Sequence, residues 1–241
     1  MPDPARLVPL PPHLPLPAFD ALGLTAFVTT RAAGTFGFPE QGDDGEARAA
    51  WDGLAEALAE NGVPRLASAR QVHGRDVVTH AGGWAGWRRH NAADGHVIAA
   101  PGAAAVTIAD CVPVLIGHAR GTVAAVHAGW RGVAGGILGE ALRALAGVGC
   151  PAGELTVHFG PAICGRCYEV GPDVFEQLTG WQTTRHRHVD LRALLADQAK
   201  AAGVGRWSAS PECTRCDNDR LFSHRAGDAG RQVAVIAAAS P

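Results

Sequence analysis

Short apolar runs, rather than long amphipathic stretches, dominate the middle of this chain. "LTAFVTT" (24–30) lies between Gly23 and the polar "RAAG", and predicts a strand. "GEARAAWDGLAEALAENG" (45–62) is rich in Ala, Leu and Glu and ends on Gly62, so it predicts a helix. "ASARQVHG" and "RDVVTH" then read as two strands of a hairpin turning near Gly74, followed by a Gly/Trp/Arg loop over 81–91. Four apolar runs follow at close intervals: "GHVIA", "AAVTIAD", "CVPVLIGH" and "GTVAAVHAG". "VAGGILGEALRALAG" (133–147) predicts a helix, "ELTVHFG" a strand and "GPDVFEQLTG" a short helix. "VDLRALLADQAKAAG" (189–203) has amphipathic helical spacing, and "RQVAVIAA" closes the chain as a strand. Strands and helices mix without strict alternation, which predicts an α/β (α+β) domain with mixed β-sheets flanked by helices.

Length and composition narrow the class. The 241 residues fit one domain, read as a Pro-rich lead-in over 1–23 and a single domain over 24–241. The lead-in, "MPDPARLVPLPPHLPLP", is expected to run extended along the surface. It lacks the charged and apolar regions of a secretory signal, and no apolar run reaches the roughly 18 residues a membrane span needs. A net charge of −2 gives no electrostatic footprint for nucleic acid or a membrane surface. The six cysteines therefore read as reduced thiols or metal ligands, and the expected location is the cytoplasm.

Three potential ligands fall at strand ends beside glycines or turns: His73 in "QVHG", Cys111 in "ADCVPVL" and His127 in "VHAGWRG". One Cys and two His suit a zinc ion that keeps its fourth position open for water or substrate. Cys111 and His127 belong to successive predicted strands turning at Gly121, so a hairpin would let them face each other. Without metal, the same pair would form a thiolate–imidazole dyad. Arg131, at the expected start of a helix near Val133, suits a phosphate or carboxylate. "CGRC" (164–167) and "CTRC" (213–216) are two C-x-x-C pairs, readable as core thiols, as a metal site or as a redox disulfide.

Taken in order, "TTRAAG", "QVHG", "ADCVPVL", "VHAGWRG", "GPAICGRCYEVG", "LFSHR" and "GRQ" resemble the YfiH-like laccase-domain family over roughly residues 24–238. Members of that family carry the names polyphenol oxidase, purine nucleoside phosphorylase and peptidoglycan editing factor. The resemblance implies a fold similar to the cysteine-hydrolase-like domain of the cytotoxic necrotizing factor toxins. It also implies that His73, Cys111 and His127 hold a metal, zinc or alternatively copper. The implied reaction is phosphorolysis of adenosine, inosine and methylthioadenosine, with inorganic phosphate as co-substrate and adenosine deamination at the same site. Gln71, Asp110, Arg131 and Arg31 are the accompanying substrate- or anion-binding candidates.

Two rival readings follow from the family's names and its departures here. One is a cysteine-type amidohydrolase editing peptidoglycan precursors. The other is a copper-type polyphenol oxidase or a non-enzymatic binding member. "AAGTFGFPEQGDD" is short and lacks the family's Ser/Asn residues, the Asn-Arg pair is absent from the following helix, and Arg225 is followed by Ala226 where the family has a second arginine. These changes spare the ligand triad and fall on expected substrate contacts.

Overall fold

A computed structural model describes residues 9–38 and 44–239. Residues 1–8 of the Pro-rich lead-in and 39–43 of the shortened glycine-rich stretch, including Asp43, lie outside the described residues, as do 240–241. The remainder of the lead-in is part of the fold. β1 (His13–Pro15) pairs antiparallel with β2 (Thr25–Thr29), setting Leu14 opposite Val28. The turn between them buries Phe19 completely, worth about 1.5–3 kcal/mol for such a side chain. Proline-rich sequence reads as extended, but Leu16 and Phe19 give this segment an apolar face to bury.

After α1 (Gly45–Glu60), the chain alternates between two sheets. β3 (Arg65–Ala69), β5 (Gly86–His90) and β7 (Gly102–Ile108) join the first sheet, while β4 (Val77–His80), β6 (Gly95–Ile98) and β8 (Val112–Gly117) join the second. Consequently β3 runs parallel to both β5 and β7, and β4 runs parallel to β6. Parallel neighbours need a long connection, and here a strand of the opposite sheet serves as that connection instead of a helix. The hairpin expected at Gly74 therefore does not form. β3 and β4 lie in different sheets, and part of the expected Gly/Trp/Arg loop is strand β5.

β9 (Val123–Ala128) returns antiparallel to β8 as expected, with Pro113 opposite His127. α2 (Trp130–Ala134) and α3 (Ile137–Gly147) occupy the stretch expected to form one helix. Gly136 breaks it, adopting a left-handed φ of 76°. β10 (Thr156–Phe159), β11 (Glu169–Val170), α4 (Pro172–Thr179), β12 (Arg187–His188), α5 (Leu191–Ala201), β13 (Arg206–Ala209) and β14 (Gln232–Ala238) complete the described elements. The first sheet has the order β1-β2-β14-β7-β3-β5, the second β13-β10-β8-β9-β6-β4, and β11 pairs with β12 separately.

Burial falls into three layers. Val28, Val106, Ile236, Leu115 and Ala125 pack between the sheets. Trp51, Leu54 and Leu58 of α1 cover the outer face of the first sheet. Leu138, Leu142, Leu145 and Leu195 of α3 and α5 cover the outer face of the second. The mixed-sheet α+β class expected from the apolar pattern is thus the class observed, with helices on both outer faces. Among the described residues, no helix is long and apolar enough to cross a membrane.

Candidate functional site

Three connections carry the chain from the first sheet to the second, and each brings a site residue. The β3–β4 connection carries His73, the β5–β6 connection Asp94, and the β7–β8 connection Asp110 and Cys111. His127, near the end of β9, completes the group. One ligand atom each from His73, Cys111 and His127 lies within 4.8 Å of the others. One thiolate and two imidazoles clustered this closely are donors that zinc takes with bonds of about 2.0–2.3 Å, so this donor set fits zinc.

Asp94 organises the group. Completely buried, it accepts hydrogen bonds at Oδ1 from the His73 N–H (3.0 Å) and His127 Nδ1 (2.9 Å). Its Oδ2 accepts from the N–H groups of Gly74 (2.7 Å) and Val72 (3.2 Å). Burial works to raise the Asp94 pKa, but the bonds from His127 and these amides outweigh it and hold the group charged. With Nδ1 committed to Asp94, His127 turns Nε2 towards Cys111, the carboxylate–histidine arrangement that orients a metal ligand. Sequence reasoning missed Asp94, whose "ADG" context signals only a turn.

Among the described residues, the two non-glycine residues with left-handed backbones are His73 (φ 57°) and Asp110 (φ 90°). Such conformations persist where the surroundings enforce them. Asp94 enforces the first through three consecutive amides. For the second, the Asp110 carboxylate accepts from Thr214 Oγ1 (2.5 Å) and the Arg225 N–H (2.7 Å), while its carbonyl accepts from the Ile163 N–H (3.0 Å). Gly129 also has a packing role, because a Cβ there would sit 3.1 Å from Cys111 Sγ and 3.2 Å from His73 Cδ2.

Electrostatics couple half-buried Cys111 to buried His127. Burial opposes ionisation of Cys111, but the His127 charge and hydrogen bonds from both histidines bring its thiol down to about 6. Burial likewise opposes protonation of His127, yet Cys111 and Asp94 raise it to about 9. Without a cation the pair is therefore a thiolate and an imidazolium.

The triad opens into a cavity of about 590 Å³, within the range of small-molecule sites. Among the described residues, five arginines line it (Arg70, Arg89, Arg131, Arg225 and Arg231) against one carboxylate, Asp110. Three of them lie over aromatic rings: Arg89 on Phe38 (3.9 Å), Arg131 on Trp130 (4.4 Å) and Arg225 on Tyr168 (5.2 Å). Burial and the charges of Arg48 and Arg70 shift Arg89 against its protonated form, while Asp44 acts in the opposite sense. Tyr168 is pushed up to about 12 by burial and by Cys111, and keeps its phenolic proton.

The anion-binding candidates divide. Arg131 lines the cavity, but the helix it opens is the five-residue α2, so no long helix dipole supports it. Gln71 also lines the cavity, with its amide committed to Thr107: Nε2 donates to the Thr107 carbonyl (2.8 Å) and Oε1 accepts from the Thr107 N–H (2.7 Å). Asp110 lines it while its carboxylate serves the scaffold. Arg31 is not among the lining residues. It pairs with Asp228 and donates to the carbonyls of Asn218 (2.6 Å) and Leu221 (3.1 Å), contacts that tie it to the scaffold.

The chain matches the family model described as multi-copper polyphenol oxidoreductase laccase over residues 35–239. It is 39% identical over 219 residues to purine nucleoside phosphorylase Rv2149c of Mycobacterium tuberculosis, covering 82% of this chain and 84% of that one. It is 35% identical over 134 residues to adenosine deaminase RL5 of an unknown prokaryotic organism, covering 50% and 51%. The crystal structure of the hypothetical protein YfiH of Bacillus licheniformis superposes with a TM-score of 0.82 at 23% identity, covering 96% of this chain and 98% of that one.

Proposed function

Because this chain belongs to the multi-copper polyphenol oxidoreductase laccase family, which includes relatives named purine nucleoside phosphorylase, we propose that it cleaves purine nucleosides by phosphorolysis. The observation that carries this reading is the cavity itself, which the ligand triad shares with several aromatic rings and, among the described residues, five arginines and one carboxylate. Arginines bind phosphate oxygens in bidentate geometry, and aromatic faces accept a purine. His73, Cys111 and His127 would hold zinc, which when bound supplies Lewis acidity to an oxygen at the cavity floor.

The chain's own groups account for the rest. Arg89 and Arg131 orient phosphate so that one oxygen attacks the sugar C1′. The bond from C1′ to the purine nitrogen breaks, with its electron pair leaving on the base. Tyr168, kept protonated, is the donor available to that base. The products are a free purine and a pentose 1-phosphate.

Incubation of metal-analysed protein with adenosine, inosine or methylthioadenosine, with and without phosphate, tests the reading by product mass. Base plus pentose 1-phosphate, formed only with phosphate, is expected. Inosine formed from adenosine without phosphate would instead assign deamination, the activity named for RL5. Absence of both products refutes nucleoside chemistry. The lowered Cys111 thiol favours one second reading, a cysteine-type amidohydrolase. That activity would survive chelators and be lost on alkylation of Cys111.

A further inference from the structure

The two C-x-x-C pairs are far apart in sequence and meet in the fold. Cys164 and Cys167 follow β10, and Cys213 and Cys216 follow β13. β10 and β13 are parallel neighbours with Phe159 opposite Ala209, so both loops leave the same edge side by side. All four sulfurs lie within 4.8 Å of one another, and all four cysteines are free thiols. Cys167 Sγ and Cys216 Sγ are 3.5 Å apart. Zinc–sulfur bonds of about 2.3 Å place sulfurs roughly 3.8 Å apart in a tetrahedron, and the Cys167–Cys216 separation is close to that.

The surroundings fit the same geometry. The Cys164 N–H donates to Cys213 Sγ (3.2 Å), which ties the two loops together at the sulfur cluster. The first pair closes a tight turn, with the N–H groups of Cys167 (2.9 Å) and Tyr168 (3.0 Å) donating to the Cys164 carbonyl. Gly165 lets that turn approach α5, since a Cβ there would lie 3.0 Å from Asp190 Cβ. The second pair is fixed by Asp217, whose Oδ2 accepts from the Cys213 N–H (2.9 Å). Arg192 of α5 supports the segment just before it, donating to the carbonyls of Ser210 (2.5 Å) and Glu212 (2.9 Å). Ordinary core thiols would be buried like Cys150, yet Cys216 is exposed and Cys164 and Cys167 are half-buried.

We propose that Cys164, Cys167, Cys213 and Cys216 form a tetrathiolate site for one divalent cation of the zinc class, separate from the His73–Cys111–His127 group. Soft thiolates in a closed tetrahedral set select zinc and leave no open position for substrate, so the site is structural. Binding releases the four thiol protons to solvent and leaves a net charge of about −2 on the site. Each turn carries one arginine, Arg166 and Arg215, and Arg215 reaches the Cys167 carbonyl (3.4 Å). The ion joins the two loops that hold Asp110. Ile163 donates to its carbonyl, Thr214 to its carboxylate, and the Thr214 N–H donates to the Ala162 carbonyl (3.2 Å).

The proposal stands independently of what the cavity binds. Zinc content per full-length chain is measured by mass spectrometry in the parent, in Cys111→Ala and in Cys111→Ala with Cys164→Ser and Cys216→Ser. One tightly held zinc is expected to persist in Cys111→Ala and to disappear in the triple variant. X-ray absorption on Cys111→Ala, which leaves all four ligands intact, is expected to show a shell of four sulfurs. This second measurement keeps the test valid if the triple variant fails to fold. A Cys111→Ala protein without bound metal, with iron in place of zinc, with nitrogen or oxygen in the metal shell, or with these cysteines recovered as disulfides would overturn the proposal.

Discussion

Replacing Asp94 by Asn removes one charge while keeping the shape, and isolates what the carboxylate does. Both of its oxygens already accept two N–H groups, from His73 and His127 on one side and from Gly74 and Val72 on the other. An amide offers a single acceptor oxygen, so in either orientation two buried donors confront an NH2 group. Two unpaired donors cost about 1–3 kcal/mol each, or roughly 2–6 kcal/mol together. A loss of that size should lower Tm by roughly 5 °C or more. If the NH2 replaces Oδ1, His127 must accept at Nδ1 and carry its proton on Nε2, the nitrogen needed as a ligand. Loss of such a supporting carboxylate typically weakens metal binding about 10–100-fold. Thermal melting by circular dichroism and zinc competition against a chelator measure the two effects. Unchanged melting together with zinc affinity within twofold of the parent would refute the assignment of Asp94 as organiser of the loop and of His127.

Three further substitutions separate site from scaffold. Gly129→Ala should leave the fold intact, since φ is −74°, but push Cys111 Sγ and His73 apart from a Cβ 3.1 and 3.2 Å away; zinc affinity and turnover should fall about tenfold. Arg31→Ala should destabilise by about 2–4 kcal/mol in urea titration, while the KM for phosphate stays within twofold; a large KM rise would instead assign Arg31 as an anion ligand. His158 is buried between Ser208 Oγ (2.8 Å) and Ser210 Oγ (3.0 Å), and burial lowers its pKa to about 4 from 6.5. As pH falls, the unfolded chain takes up this proton first, so the contribution is complete above pH 6.5 and declines towards pH 4. The decline is at most about 1.4 kcal/mol per pH unit. Urea midpoints at several pH values measure it, and an unchanged slope in His158→Gln would exclude His158 as its source.

The sequence made some of these features legible and hid others for physical reasons. The antiparallel pair holding His127 shows through because two apolar runs flank a glycine turn, and such a hairpin is a local object. The connection through His73 does not, because its strands pair with partners in different sheets and "QVHGRD" contains turn residues whichever way the chain goes. The ligand residues are visible from their type and their position beside glycines. Asp94 escapes because its role depends on amides about twenty residues earlier and on a histidine 33 residues later. Gly135 and Gly136 were inside an otherwise helical pattern, and only Gly136's left-handed conformation splits it into α2 and α3. The arginine wall is dispersed over five separate sequence positions and assembles only when the sheets stack.

The three crossings from one sheet to the other give the triad a mechanical meaning. His73 and Cys111 ride on separate crossings, and His127 belongs to the second sheet alone. A cation gripping all three works as a rivet through the seam where the two sheets meet. Sliding or splaying of the sheets must stretch its bonds, so distant core packing and ligand spacing act on each other. Filling the site should then slow amide hydrogen exchange along the strands leading into the seam, β3, β7 and β9, more than along β1 or β13 at the outer edges.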